Sequence, residues 1–288
     1  MQRNTFLAAA LLCTLSACGG GTAGIPPAGQ SASAPAPVSA GPRPASWKLV
    51  WSDEFNTDGL PNPANWSYDT AYNKGGWHND ELQYYSAGRL ENSRVENGRL
   101  IIQARKEKLT QAADYGGQGY TSARLITRGK HDWTYGFLET RAKLPCGLGT
   151  WPAIWTLGTK GTWPMMGEID IMEHVGKKKG EVLGTVHTGA YNHSINTHKL
   201  ATTMLADVCD AFHNYQLTWT AERISIGVDD KVFFTFDNQK DGDVAKWPFG
   251  SPQYLILNVA IGGQLGGPVD DGIFPVQMEV DYVRMYQP

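Results

Sequence analysis

From Trp47 to Pro288 the apolar residues recur at strand length and almost nowhere at helical spacing, and this limits the folds open to the chain more than any other feature. Arg99-Leu-Ile-Ile-Gln-Ala-Arg105, Tyr135-Gly-Phe-Leu-Glu-Thr-Arg-Ala-Lys-Leu144 and Arg223-Ile-Ser-Ile-Gly-Val-Asp229 are of this kind. So are Lys231-Val-Phe-Phe-Thr-Phe236, Tyr254-Leu-Ile-Leu-Asn-Val-Ala260 and Met278-Glu-Val-Asp-Tyr-Val-Arg-Met-Tyr286. Each alternates or runs apolar over the length of a strand, and each is bounded by Gly, Pro, Asn or Asp. The 33 Gly and 16 Pro supply the turns, and Asn97-Gly98 is a strong hairpin signal. No repeat of fixed period and no break in composition divides the segment. The pattern predicts one all-β domain over 47–288, a two-sheet antiparallel sandwich. Only 18% of residues are charged and the net charge is −3, which excludes a mainly disordered chain, a coiled coil, and charge-driven binding of nucleic acid or anionic membranes. The 31 Trp, Tyr and Phe rings serve either a heavy core or a stacking surface.

The N-terminal segment reads as an address. Met1-Gln-Arg-Asn4 is followed by the apolar run Phe6–Leu15 and then Ser16-Ala17-Cys18, a secretory signal in its order of parts. The apolar run has ten residues, and a membrane-spanning helix needs about 20. Leu15-Ser16-Ala17-Cys18 resembles the bacterial lipobox, which implies cleavage after residue 17 and lipidation of Cys18. Gly19 after that cysteine implies, by the same resemblance, delivery to the outer membrane; with an incidental Cys the protein is simply secreted. Between Gly19 and Ser46, 23 of 28 residues are Gly, Pro, Ala or Ser, so 18–46 reads as a lipid-bearing tether. Cys146 and Cys209 are the only cysteines of the folded part, and in an oxidising compartment they are candidates to pair. Zinc-type Cys/His spacing is absent.

The chemistry is expected in Gly167-Glu-Ile-Asp-Ile-Met-Glu-His174. Alternate residues of a strand share a face, so Glu168 and Asp170 point one way while Ile169 and Ile171 point to the core. Glu173 has the wrong parity unless a β-bulge near Met172 absorbs one residue. With that bulge the Glu168 and Glu173 Cα atoms lie four strand steps apart, roughly 13 Å at ~3.3 Å each. Side chains leaning together then bring the carboxyls to about 5–6 Å, close to the ~5–5.5 Å of retaining glycosidases. Alternating acids are also the ordinary pattern of a solvated sheet face, but three carboxylates on one face repel, and a purely structural strand gains nothing from that.

Gly167-Glu-Ile-Asp-Ile-Met-Glu173 resembles the bulged signature of glycoside hydrolase family 16, in the form seen in bacterial laminarinases, which are endo-β-1,3-glucanases. The resemblance extends through Trp51-Ser-Asp-Glu-Phe55, Asn79-Asp-Glu-Leu-Gln-Tyr-Tyr85 and Gly136-Phe-Leu-Glu-Thr-Arg-Ala-Lys-Leu-Pro145. It continues in Gly149-Thr-Trp-Pro-Ala-Ile-Trp155, Gly184-Thr-Val-His187, Leu257-Asn-Val-Ala-Ile-Gly-Gly263 and Val280-Asp-Tyr-Val-Arg284. It implies a curved, concanavalin-like β-jelly roll with an open substrate cleft. It further implies retaining hydrolysis with Glu168 as nucleophile, Glu173 as general acid/base and Asp170 as their electrostatic partner, without a catalytic cofactor.

The same resemblance places Trp151, Trp155 and Trp163 as sugar-stacking residues and Asn79, Glu81, Arg124 and His187 along the cleft. Trp155 fits the core equally well, and Trp47, Trp51, Trp66 and Trp219 are expected in the core or at sheet edges. Glu54, Gly98 and Asp281 match positions of a structural Ca²⁺ site in relatives. The expected partner is a polysaccharide, with the membrane reached only through the lipid, no nucleic acid, and a monomeric chain. Competing readings are an agarase or carrageenase, a β-glucan transglycosylase, and a non-catalytic glucan-binding module. The module reading is disfavoured because all three carboxylates are present.

Overall fold

The turn-bounded runs become strands, seventeen of them within residues 43–288, the part of the chain that the computed structural model describes. The expected export signal, Cys18 and the expected tether up to residue 42 lie outside the described residues. In chain order the strands are β1 (Lys48–Asp53), β2 (Ser67–Tyr68), β3 (Gln83–Tyr85), β4 (Ser93–Glu96), β5 (Arg99–Ala104) and β6 (Tyr120–Ser122). Then come β7 (Arg124–Ile126), β8 (Gly136–Lys143), β9 (Thr150–Gly158), β10 (Glu168–His174), β11 (Glu181–His187) and β12 (Lys199–Met204). The last are β13 (His213–Trp219), β14 (Arg223–Val228), β15 (Lys231–Asp237), β16 (Gln253–Ile261) and β17 (Val276–Gln287). Among the described residues, helix is confined to α1 (Gly263–Gly266) and a few 3₁₀ turns.

Two antiparallel sheets carry nearly all of this. One has the order β15-β14-β13-β8-β17-β5-β4, with β1 also on β17, and the other β12-β11-β10-β9-β16-β7-β2. A small parallel pair, β3 and β6, stands apart. The β4–β5 hairpin closes through Asn97 (φ 53°) and Gly98 (φ 73°), the two left-handed residues that a tight two-residue turn requires.

The core forms where the inward parities of the two sheets meet. Leu100, Ile102, Leu138 and Val280 come from one sheet, and Ile154, Ile169, Leu255, Leu257 and Val259 from the other. Each such aliphatic side chain contributes about 1.5–3 kcal/mol on burial. Trp66 and Trp219 lie in this core, and half-buried Trp51 packs on Trp66 and Trp133. In β16 every residue is buried. Leu255, Leu257, Val259 and Ile261 belong to the core, so Tyr254, Ile256, Asn258 and Ala260 are covered on the opposite face of the sheet. That second face holds the site.

Cys146, between β8 and β9, is joined to Cys209, beyond β12, with Cα atoms 5.8 Å apart and a sequence separation of 63. Closing a loop of that length removes unfolded-state entropy equivalent to about 4 kcal/mol. The Cys146→Ala, Cys209→Ala double variant is therefore expected to melt about 10 °C lower by calorimetry. An unchanged melting temperature would show that the bond adds nothing to the native state.

Candidate active site

β10 pairs with β9 and β11, and both ladders slip at the same place. Against β9, Asp170 faces Trp155 and Met172 faces Ile154, leaving Ile171 without a partner; against β11, Asp170 faces Thr185 and Glu173 faces Leu183. This is a bulge, one extra residue in one strand. Ile169, Ile171 and Met172 are all fully buried in the core, and Glu173 regains the face of Glu168 and Asp170. Directly paired residues share a face, so the floor of the site can be read across the sheet. One row runs Leu183, Glu173, Ala153, Asn258, Arg124, and the next Thr185, Asp170, Trp155, Ile256. Glu168 stands beside His187.

Each outer carboxylate has its own indole. Trp163 Nε1–H donates to Glu168 Oε2 at 2.6 Å, and Trp151 Nε1–H donates to Glu173 Oε1 at 2.9 Å. Burial raises the Glu168 carboxyl above its ordinary range, opposed by hydrogen bonds from Asp170 and Trp163 and by the charge of Arg124. Asp170 is raised much further, first by burial and then by the charges of Glu168 and Glu173. Asp170 therefore keeps its proton and donates it in the hydrogen bond to Glu168, which carries the charge. Glu173 is pushed up to about 7, chiefly by burial and then by the charges of Glu168 and Glu81, with the Trp151 hydrogen bond opposing. The two outer carboxyls thus differ in environment, one poised to be ionised and one to hold a proton near neutrality.

The remaining expected residues converge on the same face. Arg124 lies between the rings of Trp77 and Trp155, 5.0 and 4.7 Å from their centroids, with Asp69 Oδ2 at 3.0 Å from Nε. Glu81 accepts from Gln83 Nε2 at 2.7 Å, and burial raises its carboxyl. Asn79, in a left-handed conformation (φ 60°), hydrogen-bonds Glu81. His187 Nε2 is 3.5 Å from Asp170 Oδ2; burial, with His193 and His198 nearby, lowers its pKa to about 3, so the ring is neutral.

The three indoles expected to stack on sugar are placed differently from one another. Trp163 is 36% exposed, whereas Trp151 is 8% exposed and meets the site through its N–H to Glu173. Trp155 has Arg124 against its ring and donates to Asn258 Oδ1 at 2.7 Å. Asn258 in turn donates to Tyr85 OH at 3.0 Å. Asn258, Tyr85, Trp77, His193 and His198 received no role from the sequence. Asn258 offered one signal, being the lone polar side chain in the apolar run Leu255–Ile261 of β16.

The proposed Ca²⁺ ligands do not fit that ion as they stand. Strand register brings Glu54 and Gly98 alongside the same stretch of β17 as Asp281, but both Glu54 oxygens are held by Arg284 at 2.9 and 2.8 Å. Asp281 is paired with Arg141 at 2.5 Å. A cation there would compete with Arg284 for both Glu54 oxygens and with Arg141 for Asp281 Oδ2.

The Glycosyl hydrolases family 16 model matches residues 80–284. The β-glucanase of Rhodothermus marinus is 50% identical over 252 residues, covering 84% of this chain and 85% of its own. The crystal structure of the laminarinase from Rhodothermus marinus is 50% identical with a TM-score of 0.79, covering 84% of this chain and 97% of its own. A variant of SCLam, a non-specific endo-β-1,3(4)-glucanase, was crystallised presenting 1,3-β-D-cellobiosyl-glucose at its active site. It is 56% identical, with a TM-score of 0.85, covering 86% of this chain and 98% of its own.

The raised Glu173 carboxyl has a consequence for stability. A carboxyl of pKa about 7 in the fold and 4.5 outside it is unfavourable once ionised, so its cost is absent below pH 4.5 and complete above pH 7. Glu173→Gln should remove that cost, on the order of 2 kcal/mol at pH 8, and raise the melting temperature by about 5 °C. The gain should vanish by pH 4.5; equal melting curves at pH 8 would contradict the assigned environment.

Proposed function

This chain belongs to glycosyl hydrolases family 16 and is a glycoside hydrolase, and we propose that it cleaves β-1,3-linked glucan within the polymer by double displacement. The observation that carries the mechanism is the bulge in β10, which sets Glu168 and Glu173 on one face, each with an indole N–H. Glu168 attacks the anomeric carbon while Glu173 protonates the departing glycosidic oxygen, giving a covalent glycosyl–enzyme. Glu173, now a carboxylate, takes a proton from water, which attacks the same carbon from the face the leaving group vacated. Asp170 donates to Glu168 and keeps the two acids from sharing one proton equally. Trp163 is the exposed ring for stacking on a pyranose face, with Asn79, Glu81, Arg124, Trp155 and His187 lining its path.

A neutral polysaccharide suits this cleft, where stacking and hydrogen bonds take the place of a strong field. The cellobiosyl-glucose held by the SCLam variant supports acceptance of mixed-linkage as well as pure β-1,3-glucan. Hydrolysis of laminarin and lichenan to oligosaccharides by the wild type, with less than about 10⁻³ of that rate for Glu168→Ala, is the expected outcome. Cleavage of agarose alone would replace the substrate with a galactan. Predominant glycosyl transfer to added oligosaccharide would make the chain a transglycosylase.

The pH profile follows from the two acids. Glu168 must be ionised and Glu173 protonated, so kcat/KM should rise through the raised Glu168 pKa and fall through about 7. Trp151→Phe removes a hydrogen bond that favours the ionised form, so the alkaline limb should move to higher pH. A limb that stays or moves lower would contradict Glu173 as the acid.

We read residues 1–17 as a lipoprotein signal, Cys18 as the lipidated residue and 18–46 as the tether to the outer membrane, on the strength of the sequence alone. Because one chain supplies the whole constellation, the working unit is taken as a monomer. Cys18→Ser should move the enzyme from the membrane fraction to the soluble fraction, and an unchanged distribution would refute the anchor.

A further inference from the structure

The acidic strand ends at His174, which has no part in the chemistry above. The bulge that turns Glu173 outward turns His174 inward, where it is fully buried. Its Nε2 accepts a long hydrogen bond, 3.3 Å, from the Gly180 N–H, and its Nδ1 has no partner. A ring nitrogen of His174 and the sulfurs of Cys146 and Cys209 all lie within 4.8 Å of one another. Burial lowers the imidazole to about pKa 4, so at neutral pH it is an uncharged ligand. A fully buried nitrogen without a partner is uncommon in a folded protein and calls for an explanation. Two thiolates and a neutral imidazole are the donor set that a borderline-soft cation prefers. The other group of this kind among the described residues, Glu168, Asp170 and His187, offers two oxygens and one nitrogen and lies in the cleft.

We propose that, when the Cys146–Cys209 bond is open, the two sulfurs and His174 form a second site that binds a divalent cation of the Zn²⁺ type, with a fourth position open to water. A phosphine reductant breaks the S–S bond, taking up the oxygen of one water and leaving two thiols. The cation then displaces both thiol protons to form two metal–sulfur bonds. It also takes the Nδ1 lone pair, the Nδ1 proton moving to Nε2 at the expense of the Gly180 contact. The site ties together the loop leading to Trp151, the end of β10 beside Glu173, and the turn after β12. Disulfide and cation are thus two alternative staples for the segments that flank Glu173, one for the oxidised chain and one for the reduced chain.

The test is a Co²⁺ titration, followed by absorption, of the full chain carrying Cys13→Ser and Cys18→Ser, reduced with phosphine and then freed of it. One equivalent should bind with intense sulfur-to-cobalt charge-transfer bands that Zn²⁺ abolishes, and the oxidised protein should show none. His174→Gln should weaken binding roughly tenfold or more, Cys209→Ser should diminish the charge-transfer bands, and Glu168→Ala should leave both unchanged. Absence of sulfur-to-metal bands in the reduced protein, or equally tight binding by His174→Gln, would overturn the proposal. If reduction alone melts the fold, recovery of the native circular dichroism on adding Zn²⁺ supports the site, and failure to recover it overturns it.

Discussion

Everything at the site depends on one unpaired residue in one strand. In a regular strand Glu168, Asp170 and Met172 would share the open face and Glu173 would point into the core, a buried charge with no partner. The slip around Ile171 reverses the parity at that point, so that Ile171 and Met172 both enter the core and Glu173 rejoins the acids. The lost ladder hydrogen bonds are offset by one extra buried side chain, Met172, worth about 1.5–3 kcal/mol, and by keeping the Glu173 carboxyl out of the core. A local defect in pairing is thus stabilised by packing on one face and used for chemistry on the other.

The electrostatics have the same two-sided character. Four carboxyls, Glu81, Glu168, Asp170 and Glu173, are crowded on one sheet face and all are raised by burial. Such crowding opposes folding, and the surroundings limit the cost in different ways at each acid. Asp170 keeps its proton, Glu168 keeps its charge against Trp163 and within reach of Arg124, and Glu173 is left near neutrality with Trp151. Arg124 is itself fixed by two indoles and Asp69, so its charge is rigidly placed near the acids. The sandwich beneath supplies the stability that the site consumes.

Much of this was legible in the residues because it rests on strict periodicities. Strand parity and turn residues define the two sheets, the Asn97-Gly98 hairpin and the need for a bulge between Asp170 and Glu173. The role of Trp151 was not legible, since a tryptophan two residues after Gly149 reads alike as a stacking ring or as a buried donor. Only strand register, which sets Trp151 on β9 opposite Ala260 and beside Glu173, separates the two. The engagement of Glu54 and Asp281 by Arg284 and Arg141 was hidden for a similar reason. Those partners lie 230 and 140 residues away along the chain, and local patterning carries no record of such pairs.

The bulge brings Glu168 and Glu173 within the separation that permits a covalent intermediate, and cleavage should therefore retain configuration. Proton NMR of a short β-1,3-gluco-oligosaccharide during the first minutes of cleavage reads this out. The newly formed reducing end should appear first as the β-anomer and only later mutarotate to the equilibrium mixture. Initial appearance of the α-anomer would show inversion and place a water between the two carboxyls, which excludes attack by Glu168.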